Sequence, residues 1–318
     1  MAYTQGTVSA NEQSALAADA PVLLGDNRLE DKAASAIWVS WTAARPYAEN
    51  TDASAADADY PTSRVHDRYQ HLATQPAKVS TNQNYALIFQ LDASGTADTV
   101  AILNHNFGSV TKSSTLSVFV DIADNGTFSS NRRRLVTLTN PTSQRLVQLN
   151  LGPNGTEYDS ITGLVWVQVS VQSDAEITTL PSIGEIVIGR RRQISLKPEL
   201  PWDDRHYSSD YADFKSKSGI TTRYIRSKGR RLFAPTWRPT GTDSHSLNDI
   251  TTLETWWKTD IDYGTKTFLY TEDPSTTPRN SWWCQTTDPD LSMPLSGPAE
   301  RPVSLSFEEQ APFLSSEV

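Results

Sequence analysis

Hydrophobic and polar residues alternate over much of the chain between residues 84 and 189, which is the pattern of half-buried β-strands. The cleanest alternation runs from Leu164 to Val171. It places Val165, Val167, Val169 and Val171 on one face, and Leu164, Trp166, Gln168 and Ser170 on the other. Short strands of this kind separated by turn residues predict a β-sandwich or jelly roll.

Further segments rich in β-formers extend this pattern in both directions. One predicted strand lies at 35–41. The Ala- and Asp-rich stretch that follows it over 44–61 has no periodicity, so we expect a long surface loop or insertion there. The other predicted strands cover 85–91, 99–103, 115–122, 134–138, 145–151, 183–189, 230–237, 266–270, 280–284 and 302–307.

The sequence predicts a boundary between two parts of the chain after the apolar strand over 183–189. Arg190, Arg191 and Arg192 follow that strand, and Pro198 and Pro201 then end its regularity. We therefore expect a mainly β protein in two parts, preceded by a loose N-terminal arm. The expected divisions are an arm at 1–34, a jelly-roll-like β-sandwich at 35–196, linker and surface loops at 197–229, and a small β domain at 230–318.

One amphipathic helix is expected in the second part, from Leu247 to Asp260. Ser246 is its predicted N-cap, and apolar residues recur at helical spacing up to Trp256 and Trp257. We expect this helix to pack on the C-terminal sheet.

Composition narrows the function classes. The net charge of −9 disfavours a general nucleic-acid binder, because phosphate contacts need clustered Lys and Arg. The single cysteine, Cys284, excludes an intrachain disulfide and a multi-cysteine zinc site. No signal-peptide pattern or membrane-length apolar run is present, so we expect the chain to be made in the cytosol.

The sequence carries no motif of an enzyme. It lacks the Gly-x-Ser-x-Gly elbow of hydrolases and the glycine-rich loops that bind nucleotides. His66 and His71 are five residues apart, which fits neither a helix face nor a strand face, so no metal site is assigned. We expect no catalytic residue, no metal and no cofactor; a glycan hydrolase ranks below the other hypotheses because paired carboxylates cannot be located in one sequence.

Two loops have both a functional and a structural interpretation. His105 follows a predicted strand and either contacts a partner or, in the favoured reading, bonds to its own turn. The segment from Asp121 to Thr127 resembles a calcium loop in composition, but it lacks the distal Glu of an EF-hand, so a hairpin turn is favoured.

Three arginine clusters stand out in this acidic chain. They form either a solvated face or contacts to acidic loops of a neighbouring subunit, since arginine is favoured at interfaces, and contact with DNA ranks third. The interface candidates are Arg132, Arg133, Arg134, Arg190, Arg191, Arg192, Arg230 and Arg231. Tryptophan content also permits a sugar-stacking platform, with Trp202 and His105 as candidates, although most of the tryptophans occupy core-like positions.

The residues from Asp98 to Asn106, with the β-rich part around them, resemble the galactose-binding-like jelly-roll domains of tailed-bacteriophage tail proteins. The Trp237 strand, the Leu/Trp helix, and the segments 268–274, 282–284 and 303–309 are similar to the small β domain of distal and minor tail proteins. The resemblance spans roughly 35–309, but the order of the two parts departs from a familiar distal-tail arrangement, in which the ring-forming domain comes first.

This resemblance implies a virion structural protein at the tail tip. Such proteins form homo-oligomeric rings, commonly hexamers, that join the tail tube to the hub or fibres and let DNA pass through a lumen without specific binding. The alternative function is carbohydrate binding to a host-surface glycan. Neither reading involves a membrane, a cofactor or catalysis.

Overall fold

The structure is a computed structural model, and the part of the chain it describes falls into two compact units. The first unit comprises 26–191, and the second comprises 19–25, 192–272 and 281–318, apart from the stretches left undescribed. The described residues are 21–29, 36–41, 57–65, 73–78, 84–91, 97, 99–110, 115–128, 132–141, 145–149, 165–174, 176–194, 206–208, 211–215, 221–225, 230–237, 244–272, 281–293 and 302–310.

Strands dominate both units. In chain order they are β1 (Val22–Leu24), β2 (Ile37–Trp41), β3 (Asn84–Gln90), β4 (Thr99–Leu103), β5 (Leu116–Ala123), β6 (Arg133–Thr139), β7 (Arg145–Leu149), β8 (Trp166–Ser173), β9 (Glu185–Gly189), β10 (Arg192–Gln193), β11 (His206–Ser208), β12 (Tyr211–Lys215), β13 (Thr221–Ile225), β14 (Arg230–Phe233), β15 (Thr236–Trp237), β16 (Phe268–Thr271), β17 (Ser281–Thr286), β18 (Val303–Ser304) and β19 (Phe307–Glu309). An α-helix, α1 (Ser244–Thr255), continues directly into a π-helical turn, Trp256–Asp260.

The first unit is the predicted jelly-roll β-sandwich. Its two antiparallel sheets have the strand orders β2-β3-β8-β5-β6 and β7-β4-β9. Val167, Val169 and Val171 of β8 lie in a core shared with Ile102 of β4 and Ile186 of β9, so the two sheets pack face to face. The mainly β fold class is confirmed.

The other face of the five-stranded sheet is also largely covered. Val39, Trp41, Ala86, Ile88, Ala123 and Phe128 form a second apolar cluster there, against which Trp166 packs. Alternation alone predicts this face to be the polar one, but a sheet covered on both sides buries both sets of side chains.

The loop after β5 is a turn, as favoured from the sequence. Asn125 Oδ1 accepts hydrogen bonds from the Thr127 backbone N–H at 3.2 Å and from the Thr127 hydroxyl at 2.8 Å. The Asn125 side-chain amide donates to Asp124 Oδ1 at 2.8 Å. The side chains of Asp124, Asn125 and Thr127 are thus engaged with one another, which is the bonding of an Asx turn.

The second unit is built on a seven-stranded sheet of order β10-β1-β16-β17-β19-β14-β11. Strand β1 pairs with β10 on one side and with β16 on the other, where Leu23 lies opposite Tyr270. The expected N-terminal arm over 1–34 therefore does not hold for Pro21 to Leu29, because the apolar Val22–Leu24 segment is buried as an inner strand. Residues 1–20 and 30–34 lie outside the described residues.

The stretch predicted as linker and loops over 197–229 also differs. It contains β11, which joins the seven-stranded sheet beside β14, and the antiparallel hairpin β12–β13. Aromatic, Thr and Ile residues at Tyr211–Lys215 and Thr221–Ile225 supply β propensity that the polar composition obscures.

The predicted helix is present but shifted. It begins at Ser244 rather than after Ser246, so Ser246 is inside the helix and is not its cap. Its apolar side packs on the sheet as expected: Leu253 and Trp256 share a core with Phe268 and Phe307, and the Trp256 and Phe268 rings are 4.9 Å apart. No helix in the described part of the chain is long and apolar enough to cross a membrane.

Candidate functional site

An exposed aromatic and a guanidinium lie together on the loop that precedes β3. Tyr60 is 40% exposed, one of three large hydrophobic side chains of the described residues that are exposed to this degree. Arg64, in the 3₁₀ turn Thr62–Val65, places its guanidinium carbon 5.8 Å from the centre of the Tyr60 ring. This distance is within the range of a cation–π contact. We call this pair the Tyr60–Arg64 platform.

Backbone hydrogen bonds fix the loop beneath the platform. The Asp57 N–H donates to Gln75 O at 3.0 Å, and the Gln75 N–H donates to Tyr60 O at 3.3 Å. Arg64 Nη1 donates to Ala73 O at 3.4 Å. These hydrogen bonds hold the 57–65 loop against residues 73–75. A loop that is already ordered loses less conformational entropy when a ligand binds.

Thr74 connects the platform to the core of the sandwich. Its hydroxyl donates to Tyr60 O at 3.2 Å and accepts from the indole N–H of buried Trp38 at 3.0 Å. Its backbone forms a bridge with Ile183, ahead of β9, in both directions. The exposed ring is therefore carried by a rigid part of the first unit.

Two carboxylates precede Tyr60 in the same turn. Asp57 and Asp59 belong to the same turn, and the Asp59 N–H donates to Asp57 Oδ1 at 2.9 Å. Asp59 is exposed and Asp57 half-buried. An aromatic face beside a guanidinium, on a turn that also carries two carboxylates, offers C–H stacking together with hydrogen-bond donors and acceptors, which are contacts that a sugar ring can use.

His105, a sugar-platform candidate from the sequence, lies inside the first unit. It is 1% exposed, and its ring stacks on Phe107 with centroids 4.1 Å apart. The Phe107 N–H donates to His105 Nδ1 at 3.3 Å, so the histidine bonds to its own turn. Burial lowers the pKa of His105 to about 3. A buried ring presents no face to a sugar, and this candidate does not fit the role.

The tryptophans follow the core-like pattern expected of them. Trp38, Trp237, Trp256 and Trp283 are fully buried, and Trp282 is 7% exposed. Trp202, the other sugar-platform candidate, lies outside the described residues.

Two arginines of the first cluster bind a buried carboxylate of their own unit. Asp121 is 0% exposed and accepts from Arg132 Nη2 and from Arg134 Nε, each at 2.9 Å. The guanidinium of Arg134 also lies 3.8 Å from the centre of the Phe119 ring. The structure does not describe the Arg133 side chain.

The other clusters also have partners within their own unit. Arg192 pairs with Asp260, and the guanidinium of Arg231 lies 4.8 Å from the Trp282 ring centre. The Arg190 N–H donates to Asp26 Oδ2 at 3.3 Å, and both Arg190 and Arg191 are half-buried. The Arg230 side chain is outside the described part. The interface role of these arginines stays a prediction, and several of them are engaged inside the chain.

No family model matches the chain, and no curated protein matches it. Three similar solved structures are carbohydrate-active proteins or modules. A fucosidase of glycoside hydrolase family 29 from Ruminococcus gnavus, in complex with fucose, is 14% identical with a TM-score of 0.29, over 42% of this chain and 22% of the fucosidase.

The second is a pectin-binding carbohydrate-binding module, 12% identical with a TM-score of 0.29, over 43% of this chain and 89% of the module. The third is the module CBM32-3 of a family 31 glycoside hydrolase from Clostridium perfringens, 11% identical with a TM-score of 0.30, over 48% of this chain and 91% of the module. This chain spans less than a quarter of the fucosidase.

The sequence pattern missed the platform because Tyr60 lies in a stretch without periodicity. The signal that was present is Tyr60 between Asp59 and Pro61, because Asp and Pro favour turns and connecting segments run over the protein surface. Among the described residues, no group of three or more His, Cys, Asp or Glu is placed to hold a metal ion.

Proposed function

We propose that the chain is a non-catalytic carbohydrate-binding protein whose jelly-roll unit recognises a glycan through the Tyr60–Arg64 platform. The observation that carries this proposal is an exposed tyrosine ring, 40% exposed, held on a hydrogen-bonded loop next to a guanidinium and two carboxylates. The ligand class is a neutral or amino sugar, because the carboxylates of Asp57 and Asp59 together outweigh the charge of Arg64 and leave the turn without excess positive charge for an acidic sugar.

Rigidity supports the proposal. Weak sugar contacts give measurable affinity only when the protein surface is already in its bound shape, and Thr74 ties the platform to buried Trp38. A ring on a loose loop would lose most of the stacking energy to ordering.

A glycan array with the full chain tests the proposal. We expect binding to a restricted set of neutral glycans, lost in Tyr60→Ala and retained in Tyr263→Ala. Tyr263 is the matched control, because it is a tyrosine of the second unit and is 62% exposed. Equal array signals for wild type and Tyr60→Ala contradict the assignment.

The second candidate is the tailed-phage reading: a tail-tip or distal-tail subunit that assembles into a ring between the tail tube and the hub or fibres. The observation that favours it is the sheet edge formed by β11 in the second unit. Strand β11 ends the seven-stranded order, and its strand partner among the described residues is β14. Edge strands are templates for pairing with another chain.

Light scattering of the purified protein, alone and mixed with virion components, separates the two candidates. Closed rings or incorporation into tails support assembly. A monomer at high concentration that binds no tail component rules the ring out and leaves glycan binding as the function.

A further inference from the structure

The turn after β5 carries an asparagine followed by a glycine. Asn125, Gly126 and Thr127 lie in a β-turn that the Phe128 N–H closes by donating to Asn125 O at 3.2 Å. Asn125 and Gly126 are half-buried and Thr127 is exposed, so water has access to the turn. A glycine nitrogen is the least hindered nucleophile that a backbone offers, because glycine has no side chain. The chemistry open to such a pair is attack by this nitrogen on the asparagine amide, with loss of ammonia.

Side-chain hydrogen bonds fold the Asn125 amide over the Gly126 nitrogen. Asn125 Oδ1 accepts from the Thr127 N–H at 3.2 Å, and that N–H lies beyond Gly126 in the chain. An asparagine oxygen that reaches the second N–H after it brings its own Cγ next to the first, as in an Asx turn. The amide nitrogen also donates to Asp124 Oδ1 at 2.8 Å, which fixes the plane of the amide. The attacking nitrogen and the attacked carbon are therefore held near each other.

The Gly126 nitrogen is available for this attack. Among the described residues, none accepts a hydrogen bond from the Gly126 N–H. The indole of Trp166 packs where a side chain would begin, since a Cβ built on Gly126 would lie 3.2 Å from Trp166 Cε3. Any larger residue would press on that ring. The turn therefore keeps a glycine, with its unhindered nitrogen, directly after Asn125.

Thr127 places two donors where negative charge develops. When a nitrogen attacks an amide carbon, the amide oxygen takes up negative charge in the tetrahedral intermediate. Asn125 Oδ1 already accepts from the Thr127 N–H and, at 2.8 Å, from the Thr127 hydroxyl. Both hydrogen bonds strengthen as the charge forms, because hydrogen bonds to an ionised acceptor are the stronger ones. The two donors thus act as an oxyanion hole.

Packing anchors the far end of the turn. Phe128 has a φ of 55°, in the left-handed region, where a bulky side chain is strained. It is 4% exposed and shares an apolar cluster with Val39 and Trp41. Such a conformation persists only where the surrounding structure holds it. The buried ring therefore keeps the turn, and the hydrogen bonds around Asn125, in one arrangement.

We propose that Asn125 is a site of spontaneous deamidation that the fold accelerates. The Gly126 nitrogen forms a bond to Asn125 Cγ, and the Cγ–Nδ2 bond breaks. The proton of the Gly126 N–H leaves with Nδ2 as ammonia, so a succinimide ring remains. Water then opens the ring: cleavage of the bond from nitrogen to Cγ gives aspartate, and cleavage of the bond from nitrogen to the main-chain carbonyl carbon gives isoaspartate. Either product adds a carboxylate beside Asp124, and the reaction is independent of glycan binding.

The chain supplies a matched control, because the tripeptide Asn-Gly-Thr occurs twice, at 125–127 and at 154–156. The full chain is incubated at neutral pH, digested at intervals, and the two peptides are followed separately by mass spectrometry. We expect Asn125 to convert about tenfold faster in the native protein than in the protein unfolded in urea. In urea the two sites should convert at similar rates, because the tripeptides are identical. A native rate at Asn125 equal to or below its rate in urea overturns the proposal.

Thr127→Val tests the oxyanion hole. It removes the hydroxyl donor but keeps the N–H and the branched shape at an exposed position. We expect Asn125 to convert about fivefold more slowly in the native variant and at an unchanged rate in urea. Thr156→Val is the matched control and should leave the rate at Asn125 as it is in the wild type. An unchanged native rate in Thr127→Val, or an equal slowing in urea, contradicts acceleration by the folded turn.

Discussion

Arg192 Nε lies 2.8 Å from Asp260 Oδ2, and Arg192 Nη2 lies 3.2 Å from Asp260 Oδ1. The two hydrogen bonds form a forked pair within the second unit. Arg192 begins strand β10, and Asp260, only 2% exposed by side chain, ends the π-helical turn after α1. An arginine that the sequence marks for a neighbouring subunit therefore fastens an edge strand to the helix of its own unit.

Removal of this arginine should destabilise the second unit. Arg192→Ala leaves the buried Asp260 carboxylate without its partner, and such a loss costs about 3 kcal/mol. Urea denaturation monitored by tryptophan fluorescence measures the change. Lys258→Ala is the control: its pair with Glu254 is exposed at both ends, so its loss should cost about 0.5 kcal/mol or less. Equal effects of the two substitutions would show that the Arg192–Asp260 pair has no special role.

Asn27 holds the start of the first unit against β9. Its amide donates to Ile186 O at 3.0 Å, and its Oδ1 accepts from the N–H groups of Leu29 and Ile188, each at 3.2 Å. Asn27→Ala should lower the free energy of unfolding by about 2–3 kcal/mol, because buried backbone groups lose their partners. The same denaturation measurement checks it. A change below about 0.5 kcal/mol would mean that water replaces the side chain without cost.

His105 should make the first unit sensitive to acid. Burial lowers the pKa of His105 from 6.5 to about 3, so the unfolded chain binds a proton that the folded chain refuses at intermediate pH. The resulting stability is complete above pH 6.5 and is lost as the pH falls towards 3. By about pH 5 the loss reaches about 2 kcal/mol.

The variant His105→Asn keeps a side-chain acceptor for the Phe107 N–H but has no titrating ring. Its unfolding free energy should fall less than that of the wild type between pH 7 and pH 5, by the same amount of about 2 kcal/mol. Parallel pH profiles of the two proteins would contradict the buried, neutral histidine.

The arginines before β10 provide a test of assembly. Arg190→Glu together with Arg191→Glu should preserve the fold, since the Arg190 backbone bond to Asp26 remains, but it should impair any ring or tail assembly by reversing local charge. Circular dichroism checks the fold, and light scattering with electron microscopy checks the assembly. Normal particles from the double variant would remove these arginines from the interface.

Local patterns predicted the strands of the first unit well. The alternation around β8 places Val167, Val169 and Val171 in the core as expected. It could not show that Gln168 and Ser170 are buried too, because burial on the second face depends on what covers the sheet rather than on the strand itself.

Features that depend on distant residues were not visible in the sequence. Strand β1 is three residues long and becomes a strand through pairing with β10 and with β16, the latter about 250 positions away, as in Leu23 opposite Tyr270. Likewise the position of the Tyr60 loop depends on Thr74, whose hydroxyl bonds to Tyr60 O and to the indole N–H of Trp38. Periodicity carries no information on such contacts.

The most direct measurement is the affinity of wild type, Tyr60→Ala and Tyr263→Ala for the strongest glycan found on the array, by isothermal titration calorimetry. The proposed function predicts that Tyr60→Ala weakens binding about tenfold or more, through loss of a stacking contact worth about 1.4 kcal/mol, while Tyr263→Ala binds as the wild type does. Equal affinities of all three proteins, or no glycan binding by the wild type, would contradict glycan recognition by the Tyr60–Arg64 platform.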